Sequence, residues 1–416
     1  MKLTVKKSSL IQFIFWACYF TPLCFLNISQ LLFNACDLVH AGIFLLTVLK
    51  LRGVRLNRFH TLLMVFLVWG ALCMLLTTPG GILGYISGTL FPVLESMVII
   101  YAATKEKGIE GLRPLYGVSC MYLVLNFTSM LLFRNGMFFS SIGSSVARAQ
   151  WVFGSKNNVP SYTIIFICIV MIFSLAKKRN YFAWMLVFLG AFAIVFSGET
   201  RVEFMGGSST GIVAAFICIM CYALVIFTKK ISSVLNMKTA LIGTGAINLL
   251  LLTGSSVPFI KNIVTNVFNK TMTFSGRSKI WATNISHIAE SPLIGFGAER
   301  FQASVYIDGA WTTTGYRYNL ILDLILSYGI VSVVILAFVF LSIPKSSDKE
   351  PQMMIIGLIG MFILGTMNQV ELSFVMLFPT IMAMTHGTQV NRADKLSGEE
   401  RIDYREPYEL PYNIRY

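Results

Sequence analysis

The stretch that decides the fold is SYTIIFICIVMIFSLAKKRNYFAWMLVFLGAFAIVFSGETR, residues 161–201. Two apolar runs, 161–176 and 181–198, flank the cluster Lys177, Lys178 and Arg179. A helix rises about 1.5 Å per residue, so roughly 20 apolar residues cross a hydrocarbon layer about 30 Å thick. In lipid the backbone must satisfy its own hydrogen bonds. That leaves helices and closed barrels, and barrel strands run to only about 10 alternating residues. The stretch therefore predicts a pair of membrane-crossing helices joined by a short basic turn. Such turns collect on the cytoplasmic side.

The pattern repeats along the chain. Apolar runs lie near 9–27, 31–49, 59–77, 86–104, 114–133, 161–176, 181–198, 206–228, 239–256, 319–343, 352–367 and 373–388. They predict an all-α, polytopic membrane protein with about 12 transmembrane helices. Composition agrees: 56% of residues are apolar and 12% are charged, about half the soluble norm of roughly 25%. Mean hydropathy is +0.71. A net charge of +14 on a soluble protein would suggest nucleic acid as a partner. Here 23 of the 33 Lys and Arg fall on one side of the threading, which is an orientation signal, and no nucleic-acid-binding pattern accompanies it. Both termini are then cytoplasmic. MKLTVKKSSLIQFIFW lacks a small-residue cleavage site and reads as a retained first helix. All eight cysteines lie within apolar runs, Cys218 and Cys221 included, so they read as packing residues rather than disulfides or zinc ligands.

Four regions follow. Residues 1–256 hold nine predicted transmembrane helices, 257–318 form one large external loop, 319–390 hold three more helices, and 391–416 form a polar cytoplasmic tail. A second long external segment runs over 134–160. In the large loop, FSGRSKIWATNISHIAESPLIGFG (274–297) predicts a helix. Ser275 can cap it, Ile280, Ile285 and Ile288 recur at helical spacing, and Pro292 stops it. Arg277, Trp281 and Ile288 share a face. The expectation is an amphipathic helix on the outer membrane surface with Trp281 as an interfacial anchor. Gly295 and Gly297 permit left-handed backbone after it. An arginine just above the export side of a bilayer calls for an anionic partner, and its fork fits phosphate oxygens. Contact with lipid phosphates, or pairing with Glu290, is the plainer alternative. His287 reads as an exposed interfacial histidine. Asp37 and His40 on the second run and Glu95 on the fourth can pair across helices. Before span six, Pro160 marks a helix start. The amides of 154–158 with Lys156 then either face an anion or simply cap.

G-R…I-W…I…S-P-L-I-G-F-G, Gly276 to Gly297, resembles the signature of the O-antigen ligase and Wzy-type polysaccharide polymerase family. Ser197–Arg201, SGETR, is similar to that family's arginine-bearing short external loop. Tyr318–Gly329, YNLILDLILSYG, is similar to its H-N-x-x-L…G segment, with Tyr318 where the family has histidine. Phe153–Asn158, FGSKNN, resembles capsule polymerases of the group.

The resemblance implies a metal-independent, inverting glycosyltransferase without a cofactor. It would move a growing glycan from a polyprenyl (undecaprenyl) diphosphate carrier onto a lipid-linked repeat unit, for capsule, exopolysaccharide or O-antigen synthesis. The place implied is the bacterial plasma membrane, with the active site on the external, periplasmic side. The implied partners are the lipid-linked oligosaccharide, the bilayer, a chain-length regulator and a flippase. Arg201 and Arg277 are the expected diphosphate clamp. Glu203 and Tyr318 complete the expected catalytic set, and Arg317, Arg300, Lys279, Lys156, Asn319 and Trp281 the expected substrate contacts. The base stays open among Glu203, Glu199, Asp308 and Asp323, and Glu371 stands where an acceptor sugar could reach it. A ligase of the same fold is the close alternative, against which Tyr318 weighs. A lipid-oligosaccharide flippase or secondary transporter is the distant one. The lack of internal repeats and the large outer loop weigh against it.

Overall fold

The computed structural model describes residues 7–51, 56–141, 147–174, 181–198, 207–228, 235–253, 277–297, 303–307, 310–314, 318–343, 345 and 349–385. A helix occupies each of the twelve apolar runs within these residues: α1 (Lys7–Tyr19), α3 (Gln30–Lys50), α4 (Arg58–Thr77), α6 (Phe91–Lys107), α7 (Arg113–Leu132), α8 (Val159–Ser174), α9 (Tyr181–Phe196), α10 (Ser209–Phe227), α11 (Met237–Thr253), α13 (Leu320–Leu341), α14 (Lys349–Gly365) and α15 (Leu372–Thr385). Short helices α2 (Cys24–Ile28) and α5 (Ile82–Tyr85) precede α3 and α6. Loop helix α12 spans Arg277–Ile288. Among the described residues, five helical segments are long and apolar enough to cross a membrane. They are α3, α4, the run Pro79–Leu132 that holds α5, α6 and α7, α10 and α13.

Helix ends follow the local chemistry. Asn57 and His60 form a reciprocal cap at the start of α4. Ser29, Ser208 and Asn319 cap α3, α10 and α13. Pro114 and Pro160 sit in the first turns of α7 and α8, where their missing N–H is not needed. The first run, expected over 9–27, is divided because Pro22 interrupts it between α1 and α2. The all-α expectation also needs one correction. Among the described residues two antiparallel hairpins are present, β1 (Phe138–Ser141) with β2 (Ala147–Gln150) and β3 (Ala303–Ile307) with β4 (Ala310–Thr314).

The burial pattern orders the bundle. Nearly every residue of α8 and α15 is buried, as are most of α14, so these three helices form its centre. A helix apolar all round belongs there. α3, α9 and α11 lie at the rim and expose Leu31, Leu38, Leu49, Phe188, Ile242 and Leu249. Leu51, Leu56, Tyr101 and Met384 meet around one cavity, so the α3–α4 turn, the end of α6 and the end of α15 share one end of the bundle. Lys50, Arg58, Lys105 and Lys107 belong to this basic end. At the opposite end Asn27 donates to Gln150 and Cys24 N to Val152 O, which ties α2 to the segment before α8.

Candidate functional site

α12 carries the polar stretch of the loop, and its apolar face is covered by protein. Ile280 packs on Leu326, and Trp281 packs on Leu322 and Met367, with Ile288 against both clusters. Trp281 is 2% exposed. This corrects the expectation of a helix lying on lipid with Trp281 as its anchor: the indole is a wedge between α12 and α13. His287 bonds Glu290 through Nδ1 and Oε1 at 2.8 Å.

The segment after α12 explains the S-P-L-I-G-F-G pattern. α13 is a broken helix. Gly329 has φ 74 and ψ 172 in its middle, a conformation in which only glycine is at ease. The break frees carbonyls that lipid cannot satisfy. Phe296 N donates to Leu326 O at 2.7 Å and Gly297 N to Ser327 O at 3.0 Å, while Ile330 N donates to Pro292 O at 2.8 Å. Trp69 Nε1 reaches Tyr328 O at 2.9 Å. Residues 292–297 thus dock as a strap into the gap of α13. Gly295 and Gly297 have φ 71 and 79, as their positions predict. Contact is too close for a side chain at the break: a Cβ on Gly329 would lie 1.8 Å from Leu293 O.

Beside this strap stands Arg277. Its guanidinium lies over the Tyr318 ring, 4.9 Å from the centroid, and Nη2 donates to Asn368 Oδ1 at 3.5 Å. Tyr318 has φ 50, a left-handed conformation that is costly for an aromatic residue. That turn brings its ring under the arginine and leads into the α13 cap. The next residue, Asn319, is 1% exposed. Its Oδ1 accepts from Ile321 N and Leu322 N, and its Nδ2 donates to Asn248 Oδ1 at 2.8 Å and Thr366 O at 3.2 Å. The amide therefore ties α11, α13 and the end of α14 together. Lys279 is exposed two residues beyond Arg277, and Lys156 is half-buried in the turn before α8. The amides near Lys156 are largely used internally: Gly154 N donates to Trp151 O, and Asn158 N and Val159 N to Ser155 O. Arg201, Glu203, Arg300 and Arg317 lie outside the described residues, as do Glu199 and Asp308.

Two further residues of this site carry no motif. Asn368, in the N-Q-V-E turn between α14 and α15, holds Arg277 yet has a buried Nδ2 without a partner among the described residues. Asn284 is fully buried on α12, and neither end of its amide is bonded among the described residues. Buried polar atoms are rarely left so, unless water or a ligand completes them. A polar residue on the apolar face of a short helix is the sequence signal that points to Asn284.

A second polar group lies between α1, α3 and α6. His40 Nδ1 is 3.1 Å from Glu95 Oε2, the cross-helix pairing expected from sequence, and His40 Nε2 is 3.5 Å from Asp37 Oδ1 one turn away on α3. Tyr19 donates to Pro92 O at 3.0 Å above it. Among the described residues no three His, Cys, Asp or Glu are grouped to hold a metal ion.

Residues 202–337 match the family described as O-antigen ligase. No curated protein and no solved structure matches the chain. The matched segment runs from before α10 into the second half of α13, and so contains α12, the strap and the helix break. The chain is a multi-pass membrane protein that carries a domain of membrane glycan-processing type.

Proposed function

We propose that the protein is a polysaccharide polymerase. It transfers a growing glycan from a polyprenyl diphosphate carrier to a lipid-linked oligosaccharide repeat unit, at the end of the bundle opposite its basic clusters. In this reading the twelve helices all cross the plasma membrane and that end is external. The observation that carries the reading is the Arg277 guanidinium, fixed by the Tyr318 ring and the Asn368 amide beside the strapped break of α13.

The chemistry asks little beyond this. A diphosphate is already a good leaving group, so catalysis consists of stabilising its departing charge and orienting a hydroxyl. Arg277 receives the diphosphate oxygens; Arg201 is the proposed second cation, and Lys279, Arg300 and Arg317 are further proposed contacts. Tyr318 serves as the platform under Arg277 rather than as a base. In-line attack by the acceptor hydroxyl inverts the anomeric carbon, with no metal step.

The description of the matched family favours a second reading, a ligase that delivers the glycan to a different lipid or protein acceptor. Tyr318, in place of the family's histidine, supports the polymerase. Purified protein given a polyprenyl-diphosphate oligosaccharide separates the readings. Ladders of longer glycans with free carrier are expected. Transfer that requires a separate acceptor would mark a ligase. Unchanged glycan length in every case, with the glycan moved across a vesicle wall, would overturn both.

A further inference from the structure

The turn that receives Arg277 holds a donor that nothing in the protein uses. An arginine carries donors alone, so the Asn368 amide must turn its oxygen toward the guanidinium, as Oδ1 does at 3.5 Å. That fixes the other end of the amide. Nδ2, with two N–H groups, is buried and has no partner among the described residues. The two atoms of one amide are about 2.3 Å apart, so Nδ2 lies within about 6 Å of Nη2. Asn368 as a whole is 3% exposed. Its backbone is held on several sides. Asn368 N and Met367 N both donate to Leu364 O, Thr366 O receives the Asn319 amide, and Met367 packs against Trp281. Met384, near the end of α15, lies at the basic end of the bundle, so the turn before α15 lies at the opposite end. Residue 368 also falls beyond the family match, which stops at 337.

A buried donor left unpaired is costly, and a group so placed calls for something that completes it. The guanidinium beside it favours an anion. Two oxygens of one diphosphate can accept from both donors at about 2.8 Å each. The resting bond to Oδ1 is at the outer limit of hydrogen-bond length, so it yields readily. A diphosphate that draws the guanidinium to itself frees the amide, whose last torsion is soft, to present Nδ2.

We propose that Asn368 is a catalytic residue whose Nδ2 donates to the carrier diphosphate beside Arg277. This rests on the transferase reading given above. In the transfer step the acceptor oxygen bonds to the anomeric carbon and its proton goes to water. The bond from that carbon to the phosphate oxygen breaks, and its electron pair stays on the diphosphate. The charge that builds there meets two donors, one from α12 and one from the turn between α14 and α15. Asn368 thus changes partner during the cycle. It holds Arg277 through Oδ1 before the carrier arrives and the diphosphate through Nδ2 afterwards.

Asn368→Asp separates this role from that of a mere holder. A carboxylate binds a guanidinium more strongly than an amide does, so the aspartate would keep Arg277 in place. It would also remove the donor and set a negative charge beside the leaving diphosphate. The full-length protein in detergent is tested as wild type, Asn368→Asp, Asn368→Ala and Arg277→Ala. Chain extension gives kcat. Polyprenyl diphosphate without glycan gives binding, read as the thermal shift it produces. Loss of one preorganised donor costs about 100- to 1,000-fold in kcat. Asn368→Ala should fall within that range and Asn368→Asp at least as far, although without ligand Asn368→Asp should melt no lower than Asn368→Ala. The thermal shift should shrink in both and in Arg277→Ala. A shift that depends on Arg277 and Asn368, in a protein that makes no ladders, would keep the diphosphate site and sink the polymerase. No shift in wild type would overturn both. Extension within threefold of wild type in Asn368→Asp, or an undiminished shift in that variant where Arg277→Ala loses it, would overturn the proposal and leave the transferase standing.

Discussion

Gly329→Ala tests the strapped helix break. The new Cβ would sit 1.8 Å from Leu293 O and 2.1 Å from its carbon, both backbone atoms with no side-chain freedom to yield. Alanine is also strained at φ 74. Strain of this kind costs about 1–3 kcal/mol. Moving the strap away breaks Phe296 N to Leu326 O, Gly297 N to Ser327 O and Ile330 N to Pro292 O. At about 1 kcal/mol for each bond, the whole loss comes to roughly 4–6 kcal/mol. That is a large part of a typical net stability of about 5–15 kcal/mol. Thermal unfolding of the purified protein in detergent should show an apparent midpoint lowered by at least about 5 °C. Chain extension should fall with it, because α12 rests on the same half of α13. Gly245→Ala is the control: it lies in α11, and its added Cβ meets nothing within 4 Å. It should leave both readings unchanged or raise stability slightly. A Gly329→Ala protein with wild-type melting and wild-type ladders would refute the docking of 292–297 into the break.

Trp281→Ala should lower stability by about 3–5 kcal/mol, as for other buried large-to-small changes, whereas an indole resting in the lipid interface would cost far less; the melting midpoint separates the two. Asn319→Leu removes four hydrogen bonds and orphans the partner groups in α11, α13 and at the end of α14, so the detergent-solubilised variant should elute broadly and melt early. Glu371 has a folded pKa raised above its unfolded value, so its favourable contribution is complete below the unfolded pKa of about 4.5 and is lost as pH rises through the folded value. Glu371→Gln should accordingly melt higher than wild type at neutral pH, and the gap should close on acidification; a gap that widens toward low pH would contradict an upward-shifted carboxyl here.

Much of the architecture is legible from hydropathy alone, because lipid permits so few backbone solutions. A helix fills each apolar run, and Pro114, Pro160 and Ser208 stand where the helices begin. The left-handed glycines at 295 and 297 are likewise readable. Gly329 is not, since one glycine within a 22-residue apolar helix leaves the hydropathy unchanged while it divides the backbone. The two hairpins escape because strands of four or five residues in polar loops carry almost no periodic signal. Trp281 shows a different limit. An amphipathic pattern shows that a face is covered but not whether lipid or protein covers it. Asn319 is similar: the sequence places a cap at the start of α13 but does not show that its amide also joins α11 and the end of α14. Arg277 was visible because an arginine outside the basic turns is unusual. Its holder Asn368 is 91 residues away and has no signature.

The central claim is that a guanidinium held over Tyr318 receives the carrier diphosphate as the sugar leaves. Chain extension by Arg277→Ala, compared with wild type at equal membrane insertion, measures it most directly. Losing one charge-assisted contact in such a site removes about 3 kcal/mol from the transition state, so a fall of about 100- to 1,000-fold is expected. Ladders of wild-type length and rate from Arg277→Ala would contradict it.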